Sequence, residues 1–523
     1  MKSHSLLTSI CLIFIIGSLV LFTGTTAGLT TTQVTLSAQG TIAYPQQSYS
    51  FIIYQQDSIY YAKNGNGNIV DSSADFSVVW NYTLNSGGST LIMNGIYYPQ
   101  SLISTNIVSN VTVIGESEDG CIIDFSRMLA GTSFGSTGYI PSGQYAYIVI
   151  RGTGLTIEDL TFQSSPTVVV GLGEFDSHTP SQNDVVENIQ FRNCSSGGIY
   201  IYDGSGSTVD NIRGDNPYGL VYFWYGNESN IKVSNLYMEP TLATANGNGV
   251  DSTLAFLPYN GENASNIVVN NIVGNYTTYF DQGGTNFHMG AVLDFHSEAG
   301  GIGESNSRGN VTWNNLAVSN IYGYYSPAVD VQMNFTGLTN SVFENIHSSY
   351  AQGGKGIPNG VFILPRLSNA NVTISNVVFK DIYVDHASGA GFNFLLSDFG
   401  TPSASVRTIV QGITLENLYL TDNNQQKGTI SSSASVLYWG IDGLNIGNQG
   451  SGINIFTDLT IKNLVATDDQ ALPTQQYPAV FWNYGASGTT FINVQISSYM
   501  FSGNTNNVIY QVNNQGNVII TGY

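Results

Sequence analysis

A short motif recurs along most of this chain and restricts the folds available to it. The motif is an apolar strand residue, a polar pair that ends in Asn or Asp, and then an aliphatic residue. Its instances are Ile157–Leu160, Val186–Ile189, Val209–Ile212, Val233–Leu236, Val269–Ile272, Trp313–Leu316, Phe343–Ile346, Ile374–Val377, Leu415–Leu418, Ile461–Leu464 and Phe491–Val494. The tightest spacings, Asn188 to Asn211 and Asn211 to Asn235, are 23 and 24 residues, and wider spacings indicate loops inserted into a constant unit.

Each position of the motif has a physical role in a stacked coil. Asn and Asp adopt the left-handed backbone of a tight turn, and stacked Asn side chains hydrogen-bond from rung to rung. The aliphatic residue that follows points inward and stacks on its copies in neighbouring coils. The motif therefore predicts an all-β fold, a single-stranded right-handed parallel β-helix with inserted loops, and one turn column from Asp159 to Asn493. A β-sandwich, the alternative, would need hairpin turns and would not repeat one turn residue.

The start of the repeat has a recognisable counterpart. Gly87–Tyr98 resembles the glycine-led first strand of the pectin-lyase-like β-helix superfamily, and Ser109–Glu116 and Cys121–Asp124 resemble its next two coils. As a repeat architecture, the resemblance extends over roughly residues 76–520. It implies the fold and a parallel-sheet groove for polysaccharide, but this superfamily includes lyases, hydrolases, isomerases and adhesins. The Gly-His-Gly and Arg-Ile-Lys motifs of polygalacturonases do not occur in this sequence.

The chain divides into three predicted segments. Residues 1–27 are typical of a secretory signal peptide, with one early Lys, an apolar run and small residues before the cleavage point, although an uncleaved anchor is the alternative. Residues 28–75 are expected to form an N-terminal cap or short β segment, and residues 76–523 the β-helix. These segments predict a secreted or cell-surface protein without membrane insertion beyond the N-terminal signal or anchor.

Charge restricts the partners. A net charge of −21 with only 14 Lys and Arg excludes nucleic acid as a partner, because phosphate binding needs clustered cations. Polysaccharide or a cell-surface glycan remains, and stacked carboxylates make Ca²⁺ a possible ligand. Nine sequons support a glycosylated exterior weakly: Asn81, Asn110, Asn193, Asn227, Asn263, Asn275, Asn310, Asn334 and Asn371.

A second strand in each repeat places polar and aromatic residues outside the predicted core. Alternation along Ala291–Glu298 and Ala328–Phe335 points Leu293 and Val329 inward and their neighbours outward. The candidate catalytic residues on this outer face are Asp294, Asp330, Asp251, His296 and Glu298. The candidate substrate-binding residues are Tyr200, Tyr202, Tyr222, Trp224, Gln332 and Asn334. Flat aromatic faces beside carboxylates and amides suit a sugar ring.

These candidates predict a polysaccharide-active protein, either a glycoside hydrolase or a polysaccharide lyase. Asp251, Asp294 and Asp330 are expected on three successive coils about 4.8 Å apart, so a retaining pair at about 5–5.5 Å and an inverting pair at about 6.5–9.5 Å are both open. His296 could relay a proton. The same acids would also suit a solvated face or a calcium site. The alternative function is a non-catalytic adhesin or envelope glycoprotein.

Overall fold

The structure is a computed structural model. It describes residues 49–128, 146–173, 179–216, 218–241, 243, 250–258, 262–282, 291–296, 311–332, 335–351, 359–365, 371–396, 407–425, 442–448, 453–483, 489–512 and 515–520. The predicted signal peptide lies outside these ranges, and so do residues 28–48 of the predicted N-terminal segment. Within the described ranges, no helix is long and apolar enough to cross a membrane.

Two large sheets run through the compact unit that begins at Tyr49. Sheet A contains β1 Phe51–Gln56, β2 Ile59–Asn64, β3 Ile69–Ser73, β4 Ser89–Ile92, β5 Gly95–Tyr97, β8 Thr112–Gly115, β9 Cys121–Asp124, β12 Thr156–Gln163, β14 Val185–Arg192, β16 Thr208–Gly214, β18 Lys232–Met238, β20 Asn263–Asn275, β22 Val311–Tyr324, β24 Phe335–Ser349, β26 Val372–Asp385, β28 Arg407–Thr421, β30 Ile453–Thr467, β32 Thr489–Ser502 and β34 Gln515–Ile520. Sheet B contains β6 Ile103–Ser104, β10 Ala146–Ile150, β13 Val168–Leu172, β15 Ile199–Tyr202, β17 Val221–Trp224, β19 Leu254–Leu257, β21 Leu293–His296, β23 Val329–Gln332, β25 Val361–Leu364, β27 Phe392–Leu396, β29 Asp442–Asn448, β31 Tyr477–Asn483 and β33 Tyr510–Val512. Two further strands, β7 Val108–Ser109 and β11 Gly152–Thr153, pair with each other.

The strand pairing confirms the predicted right-handed parallel β-helix. From β12 onward, each strand of sheet A pairs in parallel with the next strand of sheet A along the chain, as in Thr156 opposite Val185. A strand of sheet B lies between them in sequence and pairs in parallel with its own counterpart one coil later, as in Ile199 opposite Val221. Each coil therefore contributes one strand to each sheet. This is the coil architecture that the resemblance noted in the sequence implied.

The prediction of a single turn column is wrong, because the coils have two Asx corners five residues apart. All eleven predicted Asn and Asp residues do adopt the left-handed backbone, with φ between 52° and 58°. However, Asn315, Asn376 and Asn493 lie in one column, while the other eight lie in the second. In β20, for example, Asn266 precedes Asn271, and Asn315 donates its amide N–H to Asn266 at 2.7 Å rather than to Asn271.

The second column is the longer ladder of side-chain hydrogen bonds. Asn188 donates to Asp159 at 2.9 Å, Asn211 to Asn188 at 2.7 Å and Asn271 to Asn235 at 2.8 Å. Both corners follow the same local rule, a left-handed Asx residue followed by a buried aliphatic one. The motif alone therefore could not distinguish them, whereas the inter-strand register does.

The interior is a continuous apolar core along the coil axis. The aliphatic residues that follow the predicted Asx positions are at most 1% exposed, as the motif predicted. On the inner face of sheet B, Phe223, Phe256 and Phe295 stack with centroids 5.0 and 5.1 Å apart. Cys121 and Cys194 are buried free thiols. Stacking therefore buries the apolar face that one coil could not bury alone.

An antiparallel meander and a helix precede the regular coils. Strands β1, β2 and β3 pair in antiparallel fashion, and β1 also pairs in parallel with β4 of the first coil. Helix α1 (Phe76–Ser86) begins after Asp75, whose carboxylate accepts the Ser77 N–H at 2.9 Å. Its buried face packs Phe76 against Tyr97 with ring centroids 4.8 Å apart. A short helix α2 (Thr277–Asp281) and a 3-10 turn (Phe125–Arg127) complete the described elements.

Candidate functional site

The outer face of sheet B carries one row of side chains that crosses five neighbouring strands. The parallel register aligns Tyr200 with Tyr222, Ala255, Asp294 and Asp330 in succession. Their neighbours along each strand belong to the core, so these residues point outward as the alternation predicted. This stretch of the row therefore runs from two tyrosines to two carboxyls, and the register continues it to Gly171 on one side and to Phe362 and Asn393 on the other.

Asp294 and Asp330 face each other directly across two neighbouring strands. Asp294 is 8% exposed and Asp330 is 0% exposed. Among the described residues, neither carboxylate oxygen of Asp330 has a hydrogen-bond partner of good geometry. Burial, and then the charge of Asp294, raise the pKa of Asp330 well above its usual range, which the nearby Gln332 amide partly counters. The pair thus favours a proton on Asp330 while Asp294 keeps a route to solvent.

His296 and Gln332 are the outward neighbours of this pair. The two residues face each other across β21 and β23, and both are half-buried. The Nδ1 atom of His296 lies 4.0 Å from Oδ2 of Asp294, within reach of an ionic interaction but beyond a hydrogen bond. The remaining candidates in this region, Glu298 and Asn334, lie outside the described residues.

Asp251 does not occupy the row that the sequence predicted for it. It lies three residues before β19, and Ala255 takes the position opposite Asp294. Asp251 instead approaches the tyrosines: burial, and then the charge of Asp251, raise the pKa of Tyr222 well above its usual range. The prediction of three stacked aspartates is therefore wrong, because the alternation rule was applied to residues that precede the strand.

The aromatic candidates point outward but are not the open platform that was expected. Tyr200 and Tyr222 are each 5% exposed, and their rings stack on each other with centroids 4.8 Å apart. The ring of Trp224 is 6.0 Å from that of Tyr200. Tyr202 and Trp224 are half-buried. The tyrosines form an apolar cluster with Ala146, Val149, Val168, Ala255 and Leu257. Their faces are therefore used for packing in this structure.

Two sites with ionisable side chains were not predicted from the sequence: one is a single buried glutamate and the other is a cluster of three residues. Glu228 is completely buried, and neither of its carboxylate oxygens has a hydrogen-bond partner of good geometry among the described residues. Its pKa is raised well above the usual range by burial and by the charge of Glu262. Asp385, His386 and Asp422 bring three ligand-type atoms within 4.8 Å of one another. The only sequence signal for the second group was ionisable residues at the end of a sheet A strand.

Comparisons with known proteins bear on the architecture alone. No family model and no curated protein matches the sequence. The chain is similar in structure to the catalytic unit of a thermostable GH87 α-1,3-glucanase from Streptomyces thermodiastaticus strain HF3-3, with 13% identity, a TM-score of 0.44, and coverage of 83% of this chain and 66% of that one. It thus spans just under two thirds of that unit.

Two further structures show the same kind of similarity. PfbA, a surface adhesin of Streptococcus pneumoniae, has 11% identity and a TM-score of 0.39, with 83% of this chain and 88% of that chain covered. A polygalacturonase from Erwinia carotovora has 12% identity and a TM-score of 0.34, with 93% and 100% covered. Similarities this weak carry no information about activity.

Proposed function

We propose that this chain is an exported, polysaccharide-active protein that hydrolyses glycosidic bonds with Asp294 and Asp330. One observation carries the proposal: two carboxyls stand in direct register on neighbouring strands, and burial and charge favour a proton on one of them. Glycoside hydrolysis requires one carboxylic acid and one carboxylate held close together. Asp330 has the environment of the acid and Asp294 that of the carboxylate. Export rests on the predicted signal peptide at residues 1–27.

The strand spacing favours the retaining mechanism. Neighbouring strands lie about 4.8 Å apart, close to the separation of about 5–5.5 Å between the carboxyls of a retaining pair. In the first step, Asp294 attacks the anomeric carbon while Asp330 protonates the departing oxygen. In the second step, the Asp330 carboxylate takes a proton from water, which displaces Asp294 and regenerates both groups. His296 would orient the Asp294 carboxylate from 4.0 Å.

Hydrolysis is preferred over lysis because a lyase needs a basic residue that abstracts a proton. The pair in register provides an acid and a carboxylate instead. Ca²⁺ in the assay distinguishes the two reactions further, since a calcium-assisted lyase would lose activity to a chelator.

A panel of neutral and acidic polysaccharides, with and without calcium, tests this function. Asp294→Asn and Asp330→Asn should abolish the release of reducing ends while the far-UV spectrum is unchanged. Glu416→Gln is the matched control, since Glu416 is a half-buried carboxylate on sheet A that lies 3.9 Å from Lys462. NMR of the first product should show the anomeric configuration of the substrate. Full activity of both Asn variants on a polysaccharide that the wild type cleaves would refute the proposal.

A non-catalytic surface protein is the second candidate function. The observation that favours it is the burial of Tyr200 and Tyr222, which leaves their faces occupied by packing instead of open to sugar. An adhesin would bind a glycan from the panel without cleaving it. Binding without product, unaffected by Asp294→Asn, would favour this second function over hydrolysis.

A further inference from the structure

A third column of left-handed residues stands at the corner where each strand of sheet A ends. Its members in successive coils are Tyr325, Tyr350, His386 and Asp422, with φ between 53° and 60°. Backbone hydrogen bonds link them from coil to coil; the N–H of His386, for example, donates to the Thr421 carbonyl at 3.0 Å. The imidazole of His386 stacks on the ring of Tyr350 with centroids 4.8 Å apart. Ring stacking therefore holds the plane of His386.

The two nitrogens of His386 face two different carboxylates. Nδ1 lies 2.7 Å from Oδ1 of Asp385, a hydrogen bond, and Nε2 lies 3.7 Å from Oδ2 of Asp422. A hydrogen bond from Nδ1–H to a carboxylate selects the tautomer whose lone pair is on Nε2. That lone pair then faces a carboxylate oxygen at a distance too long for a hydrogen bond. Two facing acceptors repel each other unless a positive species lies between them.

The surroundings of Asp422 increase this demand for positive charge. Asp422 and Asp468, on the next coil, are each 3% exposed. One oxygen of Asp422 accepts the Asp469 N–H at 2.8 Å, and Asp468 accepts the N–H of Gln475 at 2.7 Å. Buried carboxyls this close together are stabilised by a proton or by a bound cation.

We propose that Asp385, His386 and Asp422 form a site for a transition-metal dication such as zinc. Nε2 of His386 and the Asp422 carboxylate are the ligands, and Asp385 is a positioning residue that holds the imidazole through Nδ1. The separation of 3.7 Å is within a few tenths of an ångström of this role's requirement, because two bonds of about 2.1 Å at the tetrahedral angle span about 3.4 Å. An imidazole ligand favours zinc over calcium, which takes oxygen ligands.

Solvent completes the coordination in this arrangement. The side chains of Asp385 and His386 are 42% and 26% exposed, so water reaches the outer side of the site. Because His386 and Asp422 belong to consecutive coils, the bound ion would clamp one coil to the next at the corner. Zinc binding would then raise thermal stability, since a ligand that binds only the folded state stabilises it by mass action.

Metal titration of the full chain tests the site. After removal of metal with a chelator, Zn²⁺ should bind, with a raised melting temperature, and Co²⁺ should give a visible absorption band. His386→Ala should abolish both signals, and Asp385→Asn should weaken zinc binding by about 10- to 100-fold. His347→Ala is the matched control, because His347 is stacked in the same way on Tyr383, at 4.5 Å, but bonds to the amide of Asn345.

Three outcomes would overturn the proposal. One is a wild type that binds no zinc at millimolar concentration, and another is equal zinc affinity in wild type and His386→Ala. The third is a melting temperature that depends on pH but not on zinc, which would mean that an imidazolium alone bridges the two carboxylates. Should His386→Ala fail to fold, the isosteric Asp422→Asn and the cobalt spectrum of the wild type still decide. Zinc binding is measured without polysaccharide, so the result is independent of the proposed hydrolase activity.

Discussion

Replacement of Asp330 by Asn should make the protein more stable, and the gain should grow as pH rises. In the unfolded chain this carboxyl has a pKa of about 3.9, whereas burial and Asp294 raise the pKa of Asp330 in the folded chain. Folding therefore takes up a proton above about pH 4, and stability falls as pH rises until the folded pKa is reached. The penalty is about 1.4 kcal/mol for each pH unit between the unfolded and the folded pKa.

Asparagine has nearly the shape of aspartic acid but no charge to remove on folding. Urea denaturation of wild type and Asp330→Asn at pH 4, 5.5 and 7 should show a stability difference that increases in favour of the variant. Any constant cost of the new amide is common to all three pH values and does not affect the slope. Glu344→Gln, at a half-buried carboxylate paired with Lys380 at 2.7 Å, is the control and should show no such increase. A difference that stays constant between pH 4 and pH 7 would refute the raised pKa.

Three further predictions concern the coils. Ile346→Asp should lower the free energy of unfolding by several kcal/mol, because Ile346 is 0% exposed and a charge would enter the core; an unchanged urea midpoint would contradict this. Asn271→Ala should cost about 1–2 kcal/mol, since it removes the 2.8 Å bond to Asn235 and places Ala at φ 58°. Asn271→Gly should recover the backbone part of that loss, and equal midpoints for the two variants would argue against it. Millimolar calcium should raise the melting temperature if carboxylates around the buried Glu228 bind it. Glu228→Gln should remove that shift. Equal melting temperatures in calcium and in chelator would exclude such a site.

Much of the candidate site was visible in the sequence because alternation is a local property. Once Leu293 and Val329 are assigned to the core, the pleat places Asp294 and Asp330 on the outer face. Their neighbours His296 and Gln332 follow by the same rule. The rule stopped being valid at Asp251, which precedes its strand, and alternation has no meaning outside a strand. The alternation rule also cannot predict how exposed a side chain is. It gives the side of the sheet on which Tyr200 lies, but not which residues pack against it.

Local sequence is enough to predict the repeating unit: left-handed Asx corners, inward aliphatic residues and parallel coils all follow from backbone preference and burial within a few residues. Which corner each Asn occupies depends on the pairing between coils, since Asn266 and Asn271 obey the same local rule and only inter-strand register separates them. That pairing also brought His386 to Asp422, residues that belong to different coils. Loops of variable length separate the coils, so contacts between coils depend on register, which no short stretch of sequence encodes.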